Sequence, residues 1–468
     1  MADAHSLSPR VDAYLLSPED GVWTALHRAL DGGFDRAFVV DAQRRLIGVV
    51  TIGAIRTRLQ AGEPLDGVSA AALAQEASAD GPIAPLEPVL DAEGRIIAVR
   101  ARSDAAFLPV AEPDLRAGEF RRLLDAYLST WISSTGDYLR AFENDFARRM
   151  DMEHGIATAN GTVSLHLALV ALGVGPGDEV IVPDLTFAAS ANTVIHCGAT
   201  PVLVDVDPQT WVMSAAMFEA AITPRTRAVM PVHVFGRPAP MTEIRAIAQA
   251  RGVFVVEDCA EAHGAKYDGK PVGSFSDVSS FSFFANKIIT TGEGGMCLTN
   301  DGELAARMRM LRDHGMRPDR RYWHEEAGFN YRMTNLQGAI GGAQLDRLDA
   351  ILTQRARVEE MYRSAFLGIP GVDLAPPMAP NAEPVTWFCC ALTPADKRPA
   401  LIAACKDDGI DLRPFFNSLS AMPAYRRYAR PCPSSRMLAA RGVNLPTSHK
   451  IDADAIERVA RAFRRVLG

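Results

Sequence analysis

Lys287 stands in SFSFFANKIITTGEGG, a stretch that is otherwise apolar, β-favouring or small. An ammonium in such surroundings costs several kcal/mol to desolvate unless it is paired or chemically changed. Of the 49 basic residues only six are lysines: Lys266, Lys270, Lys287, Lys397, Lys406 and Lys450. A chain that carries its positive charge as arginine, yet puts lysine between Asn286 and Ile288, suggests a need for an amine. Lysine can shed its proton or form an imine, and arginine can do neither. Taken alone, Lys287 is also readable as a surface lysine at a strand end.

Other residues with chemistry in them fall at comparable places. After VFVV come Glu257 and Asp258, then Glu261 and His263; after EVIVP comes Thr186-Phe187; Ser282 sits just ahead of Lys287. Asn160-Gly161-Thr162 opens a helix, where free backbone N–H groups and the helix dipole suit a phosphate. Ligands of open parallel sheets gather at the carboxyl ends of the strands, so an anion site, an acid, an aromatic ring and an amine would meet in one crevice. Pyridoxal phosphate asks for that set. Its aldehyde needs a lysine, its phosphate needs N–H and hydroxyl donors, its ring needs a stacking face, and its pyridine nitrogen needs a carboxylate that keeps it protonated. Each residue has a plain competitor. Asp258 reads equally as a salt-bridged or capping acid, Phe187 as core, Gly161-Thr162 as an ordinary helix start and Ser282 as an inward-facing strand hydroxyl. His233 and His263 are read as core or hydrogen-bonded histidines and stay outside the catalytic set.

The elements that must position these residues follow from periodicity. EVIVP, PVLVDVD, RAVMPVHVFG and VFVVEDCAEAHG are apolar strand patterns, separated by the helical SLHLALVALGV, FAASANTVIHCGA and MTEIRAIAQARG, the last closed by Gly252. Alternation of near-continuous apolar strands with helices predicts an α/β fold with a mostly parallel sheet covered on both faces. Beyond Leu345 the pattern becomes one long helix, AQLDRLDAILTQRARVEEMYRSAF, then a Pro-rich mixed segment, which predicts a smaller C-terminal α+β domain. The first hundred residues differ. AFVVDAQRRLIGVVTIGAIRTRL reads as strand, turn of two or three residues, strand and helix, and PVLDAEGRIIAVRARSD echoes it, with DGVSAAALAQEASADGPIAP as a surface connection. Two such units point to an internal duplication. The pair is similar to a cystathionine-β-synthase-type (CBS) module, a resemblance that implies a possible adenine nucleotide; a ligand-free α/β appendage fits the same residues.

Composition removes several classes of function. A formal charge of -7 gives no footprint for nucleic acid or an anionic membrane. No apolar run reaches the roughly 20 residues of a membrane span, and the opening MADAHSLSPRVDAY lacks the pattern of a signal peptide. Seven cysteines, odd in number and without CxxC spacing, read as reduced thiols of a cytoplasmic protein, and ten scattered histidines without HExxH make no case for a metal. Neither GxGxxG nor GxxxxGK[ST] occurs.

Residues 108–468 resemble the sugar aminotransferases of fold type I, the DegT/DnrJ/EryC1/StrS group. The resemblance is carried by WISSTGDYLRAFENDFA, NGTVSLHLAL, GPGDEVIVPDLTFAASANTV, GATPVLVDVD, VMPVHVFG, VEDCAEAHGA, SFSFFANKIITTGEGGM, GFNYRMTNLQGAIG and GVNLPTS, in that order. It implies that Lys287 forms the imine with the cofactor and, once freed, shuttles a proton, and that Asp258 pairs with the pyridine nitrogen. It further implies that Phe187 stacks on the ring, that Glu261 lies against the ring or its 3'-hydroxyl, and that Gly161, Thr162 and Ser282 bind the phosphate. Asn330 would join from the partner subunit of a homodimer. Tyr322, His324, Arg332 and Arg413 are candidate substrate contacts; for Arg332 a dimer-surface role is the competitor. ITTGEGGM, RYWHEEAGFNYRMTN and WISSTGDY look most like the branch that aminates C4 of GDP-4-keto-6-deoxymannose, giving GDP-perosamine, with L-glutamate as donor and pyridoxamine phosphate as the carrier form. A UDP- or dTDP-linked keto-sugar is the alternative substrate. The dehydratase branch, in which histidine replaces the lysine, is opposed by Lys287, and a silent nucleotide sensor is opposed by Lys287, Asp258 and Ser282 together. One departure stands out: many relatives place Pro-Leu-His where this chain has Ser418-Leu419-Ser420, which puts the sugar or nucleotide contact there in doubt. The expected division is 1–107, 108–345 and 346–468.

Overall fold

The computed structural model describes residues 11–32, 36–76, 86–101 and 107–468. The opening residues read for a signal peptide and the later part of the connection DGVSAAALAQEASADGPIAP, residues 77–85, lie outside them.

The N-terminal unit holds β1 (Leu15–Leu16), α1 (Val22–Asp31), β2 (Arg36–Val40), β3 (Leu46–Thr51), α2 (Ile52–Gln60), α3 (Ala70–Glu76), β4 (Leu86–Leu90) and β5 (Ile96–Ala101). The two hairpins, β2–β3 and β4–β5, carry matched contacts. Asp41 Oδ1 accepts from the amides of Gln43 and Arg45 and its Oδ2 from Arg45 Nε; Asp91 does the same with Glu93 and Arg95. These bonds close a five-residue connection in each hairpin, longer than the turn read from the sequence, because the aspartate side chain replaces the missing ladder bonds. The two hairpins meet through Arg45 and Arg95, with Ile96 N bonding Arg44 O at 3.0 Å.

Two helices lead into the main body, α4 (Ala117–Leu128) and α5 (Asp137–Arg149). Its central sheet contains β6 (His154–Thr158), β7 (Glu179–Pro183), β8 (Thr200–Val204), β9 (Thr226–Val229), β10 (Phe254–Asp258), β13 (Val278–Ser282) and β14 (Gly295–Thr299), in the order β6-β14-β13-β10-β9-β7-β8. The strands from β13 to β8 pair in parallel, and β14 lies antiparallel between β13 and β6. Strands β7, β13 and β14 are buried along their whole length, as a doubly covered sheet requires. The cover comes from α6 (Gly161–Ala171), α7 (Ala189–His196), α8 (Ala215–Ala221), α9 (Met241–Arg251) and α10 (Gly302–Arg312). Gly252 ends α9 at φ 64°, a left-handed cap that glycine adopts without steric cost. At one margin the short strand β11 (Lys266–Tyr267) pairs with β12 (Lys270–Pro271) on one side and β16 (Ala382–Glu383) on the other.

The long helix expected after Leu345 is two helices, α11 (Asn335–Asp346) and α12 (Leu348–Ala365), broken at Arg347 with φ -106° and ψ 4°. The cause is tertiary. The Arg347 guanidinium donates to Asp114 O at 2.7 Å and pairs with the Asp114 and Glu119 carboxylates, while Gln344 bonds the same two residues. After the break a four-stranded antiparallel sheet forms from β15 (Asp373–Leu374), β17 (Cys389–Leu392), β18 (Arg413–Pro414) and β19 (Gly442–Leu445). It packs with α12, α13 (Arg398–Asp407), α14 (Pro433–Arg441) and α15 (Ala453–Leu467). Leu108 bridges Ile410, so the chain touches this C-terminal layer before it enters α4. Among the described residues no helix is long and apolar enough to cross a membrane.

Candidate active site

Residue Ser282 pairs with Gly295 across β13 and β14, so the excursion Phe283–Gly294 leaves and returns at one point on the sheet. That excursion carries Lys287. Its amide bonds Phe284 O at 2.9 Å, a tight turn that projects the side chain off the carboxyl end of β13. The side chain enters a cavity of about 530 Å³, lined also by Gly161, Thr162, Phe187, Asp258, Glu261 and Ser282. Residues far apart in sequence meet there because β7, β10 and β13 all end at that level. Ser282 closes the strand ahead of Lys287.

The acid and amine groups are buried. Asp258 Oδ2 accepts from Ser190 Oγ at 2.8 Å and Oδ1 from Ala260 N at 3.2 Å. Burial raises its pKa; the Ser190 bond opposes the rise. A carboxylate out of water with only neutral donors within bonding distance is suited to a cationic ligand atom. Glu261 Oε2 accepts from Phe235 N at 2.7 Å, and Oε1 lies 3.6 Å from Lys287 Nζ. Burial pushes Glu261 up to about 7 against the pull of Lys287, and burial pushes Lys287 down against the pull of Glu261 and Asp258. Lysine is thereby moved toward the neutral amine that attacks carbonyls.

The phosphate end is built by backbone. Asn160 caps α6, its Oδ1 accepting from Val163 N, and the first-turn amides of Gly161 and Thr162 face the cavity beside Ser282. A Cβ on Gly161 would lie 2.7 Å from Ser282 Cβ, so only glycine lets the helix start come this close to β13. Phe187 is 57% exposed in the cavity wall, a bare ring face 5.7 Å from Phe416. An anion nest, a flat face, a buried carboxylate and an amine in one cavity fit pyridoxal phosphate; Gly161, Thr162 and Ser282 could hold its phosphate, Phe187 its ring, Asp258 its nitrogen and Lys287 its aldehyde.

Five other predicted residues are not in the lining. Asn330, Tyr322, His324 and Arg332 lie on the segment 313–334, which runs beside the approach to α6: Ala159 N bonds Tyr331 O at 2.8 Å. Arg332 is paired with Asp313 and bonds Asn330 Oδ1; His324 Nδ1 bonds His314 O; Tyr322 is 75% exposed. Arg413 is paired with Asp411 away from the cavity. Ser418 and Ser420, the second at the position where a histidine is expected from the resemblance, both bond buried Asp184 at the end of β7, so their hydroxyls serve the loop. His233 accepts from Ala239 N at Nδ1 and faces Glu257 Oε2 at 3.1 Å, a hydrogen-bonded pair as read; His263 is buried among Phe146, Phe281 and Phe283 and held to about 3 by that burial.

Sequence reasoning missed Ser190, Phe284, Glu293, Trp387 and Phe416. Trp387 and Phe416 come from the C-terminal layer, where apolar residues in irregular chain give no periodic or chemical signal. Ser190 was findable in principle, one helix turn after Thr186.

A profile of the DegT/DnrJ/EryC1/StrS aminotransferase family matches residues 113–464. The chain is 47% identical over 369 residues to a GDP-perosamine synthase of Caulobacter vibrioides, covering 78% of this chain and 100% of that protein. Among solved structures, S. venezuelae DesV in complex with a ketimine intermediate matches at TM-score 0.70 and 36% identity, over 75% of this chain and 94% of that one. A sugar aminotransferase of Streptococcus pneumoniae, Spr1654, solved in its PLP form, matches at TM-score 0.73 and 26% identity over 77% and 98%.

Proposed function

Because the chain belongs to the DegT/DnrJ/EryC1/StrS aminotransferase family, pyridoxal-phosphate enzymes that act on nucleotide sugars, we propose that it moves an amino group from L-glutamate to C4 of GDP-4-keto-6-deoxymannose, giving GDP-perosamine. The observation that carries the proposal is the match to the Caulobacter protein along that protein's whole length. The cofactor, when bound, supplies an electron sink and a place to carry nitrogen between donor and acceptor.

The rest is the work of this chain's residues. Lys287 holds the cofactor, and its freed Nζ takes the proton from the donor carbon and returns one to the sugar carbon. Asp258 keeps a proton on the ring nitrogen, and the bond from Ser190 Oγ orients the carboxylate for it. Glu261, its outer oxygen fixed by Phe235 N, lies against the ring or its 3'-hydroxyl beside the amine. Gly161, Thr162 and Ser282 would anchor the phosphate and so hold the group in place while Lys287 is free to move a proton. Phe187, with Phe284, Trp387 and Phe416, gives the cavity an apolar rim that excludes water from the carbon being protonated.

In our reading the chain works as a homodimer in the cytoplasm, and Asn330 serves the partner's cavity, with Tyr322, His324 and Arg332 close to the sugar nucleotide. Exposed Trp131 and Tyr322 and the free cysteines support that picture. Residues 1–107 lie ahead of the matched family region and are read as a CBS-like appendage with an adenine nucleotide as its candidate ligand.

The test is the visible absorption of the purified holoenzyme. L-Glutamate should bleach the band and GDP-4-keto-6-deoxymannose should restore it, with GDP-perosamine identified by mass. Restoration only by a UDP- or dTDP-linked keto-sugar would discard the GDP-sugar.

A further inference from the structure

Trp387 stands against the catalytic amine much as the Glu261 carboxylate does. The Lys287 Nζ sits 4.1 Å from the centroid of its ring, and Glu261 Oε1 lies 3.6 Å from the same nitrogen. Ring and carboxylate are both held in advance. Trp387, 3% exposed, donates from Nε1 to Asn286 O at 2.8 Å, the carbonyl of the residue before the lysine. Phe235 supports both sides at once: its amide fixes Glu261 Oε2, and its ring lies 6.3 Å from that of Trp387 at an interplanar angle of 15°. Phe235 holds this place at φ 56°, a left-handed conformation that a bulky residue keeps only where its surroundings impose it.

We propose that Trp387 and Glu261 form a built resting place for the charged amine of Lys287, occupied whenever amino transfer leaves the lysine unbonded to cofactor. The inference rests on the aminotransferase reading above. A freed lysine must hold a proton inside an apolar cavity, where water no longer solvates it. A ring face and a carboxylate replace that solvation, and the ring attracts a cation but not a neutral nitrogen. The cradle therefore acts on one charge state of the lysine and leaves the other free to move. It also makes the C-terminal layer part of the catalytic centre through a residue that never needs to touch the sugar.

Other charged groups face the amine. Asp258 lies in the same cavity and favours the ammonium, as Glu261 does. His263 is buried and neutral, and Glu293 stands at the rim. Behind the lysine a small gap is bordered by Arg355, Glu112, Asp114 and His449. None of these groups is altered by substitution at Trp387; Trp387→Phe keeps a ring and loses the bond to Asn286 O, while Trp387→Leu loses both, so the two variants together separate the ring from the hydrogen bond.

The test measures Lys287 itself. The full-length protein, stripped of cofactor, is treated with an amine-directed acylating reagent across a pH series, and modification of the Lys287 peptide is followed by mass spectrometry. Loss of the ring removes stabilisation of the ammonium, so Trp387→Leu should lower the Lys287 pKa by roughly half a unit to one unit, which makes the amine about three to ten times more reactive at a fixed pH below it. Trp387→Phe should fall between Leu and wild type, and Glu261→Gln should shift in the same direction as Leu. A Leu variant that titrates with wild type or above it overturns the proposal; if Leu does not fold, a Phe variant indistinguishable from wild type overturns it equally. No keto-sugar enters the measurement, so the cradle and the sugar assignment can fail separately.

Discussion

The lysine and the two carboxylates at the floor of the cavity carry charge that the surrounding protein does not favour, and that cost is their use. Replacing Lys287 by alanine should lower kcat by on the order of a thousandfold or more, since it removes both the attachment to cofactor and the proton carrier. The same change removes a buried ammonium, so the thermal midpoint should hold or rise; a folded, fully active Lys287→Ala protein would end the reading. Glu261 gives a pH signature. Its folded-state pKa is raised by burial from 4.5 to about 7, so between those values the folded chain binds more protons than the unfolded one. Stability of the cofactor-free chain should therefore decline as pH rises from about 4.5 to 7, and Glu261→Gln should flatten that decline in urea unfolding. These residues were legible because each has a type that a strand end rarely needs for packing. Trp387 and Phe416 were not, because what they offer is an apolar face, and a sequence is full of those.

At the level of elements, the site depends on how closely α6 approaches β13 and on how firmly the loop after β18 is held. Gly161→Ala would force a Cβ against Ser282, so the phosphate nest should open and cofactor affinity should fall at least about tenfold, read by titration of the visible band, with little change in the kcat of the saturated enzyme. The loop bearing Phe415 and Phe416 is tied down by Ser418 and Ser420 on Asp184, whose pKa burial raises. Ser418→Ala leaves that acid short of a donor, which should cost about 1–2 kcal/mol of stability, and it should raise KM for the sugar severalfold with kcat changed less than about twofold. Unchanged KM would detach the loop from substrate binding. The parallel sheet was readable because buried strands are written as unbroken apolar runs. The break at Arg347 was not: every residue from Gln344 to Asp349 tolerates a helix, and the bend is imposed by Asp114 and Glu119, more than two hundred residues earlier. The C-terminal sheet was hidden for a different reason, its strands being only two to four residues long.

At the scale of the whole molecule, the segment 313–334 faces outward and does not line the cavity of its own chain, so a part for it in the reaction would require a second chain or an inward movement of the segment. Arg116 and Ala117 at the start of α4 bond Asp31, and Phe120 lies 6.4 Å from Trp23, so the N-terminal unit sits on the helix that leads to exposed Tyr127, Leu128 and Trp131. Exposed apolar groups of that kind, and Tyr322 and Trp323 exposed on the segment 313–334, suit burial against a second copy, since exposed apolar surface marks interaction sites. If Asn330 acts in the partner's cavity, a symmetric pair has two composite sites, each drawing Lys287 from one chain and Asn330 from the other. Lys287→Ala and Asn330→Ala proteins should each be nearly inactive alone. Mixed so that subunits exchange at random, half of the dimers would carry one of each chain, and in those one of two sites would be intact, so activity should return to roughly a quarter of wild type. Recovery to that level, measured on a mixture whose dimeric mass is checked by light scattering, assigns Asn330 to the neighbouring cavity. A mixture that stays as inactive as its components would put Asn330 back in its own chain's service, and the segment 313–334 would then have to fold inward on substrate to reach the lysine.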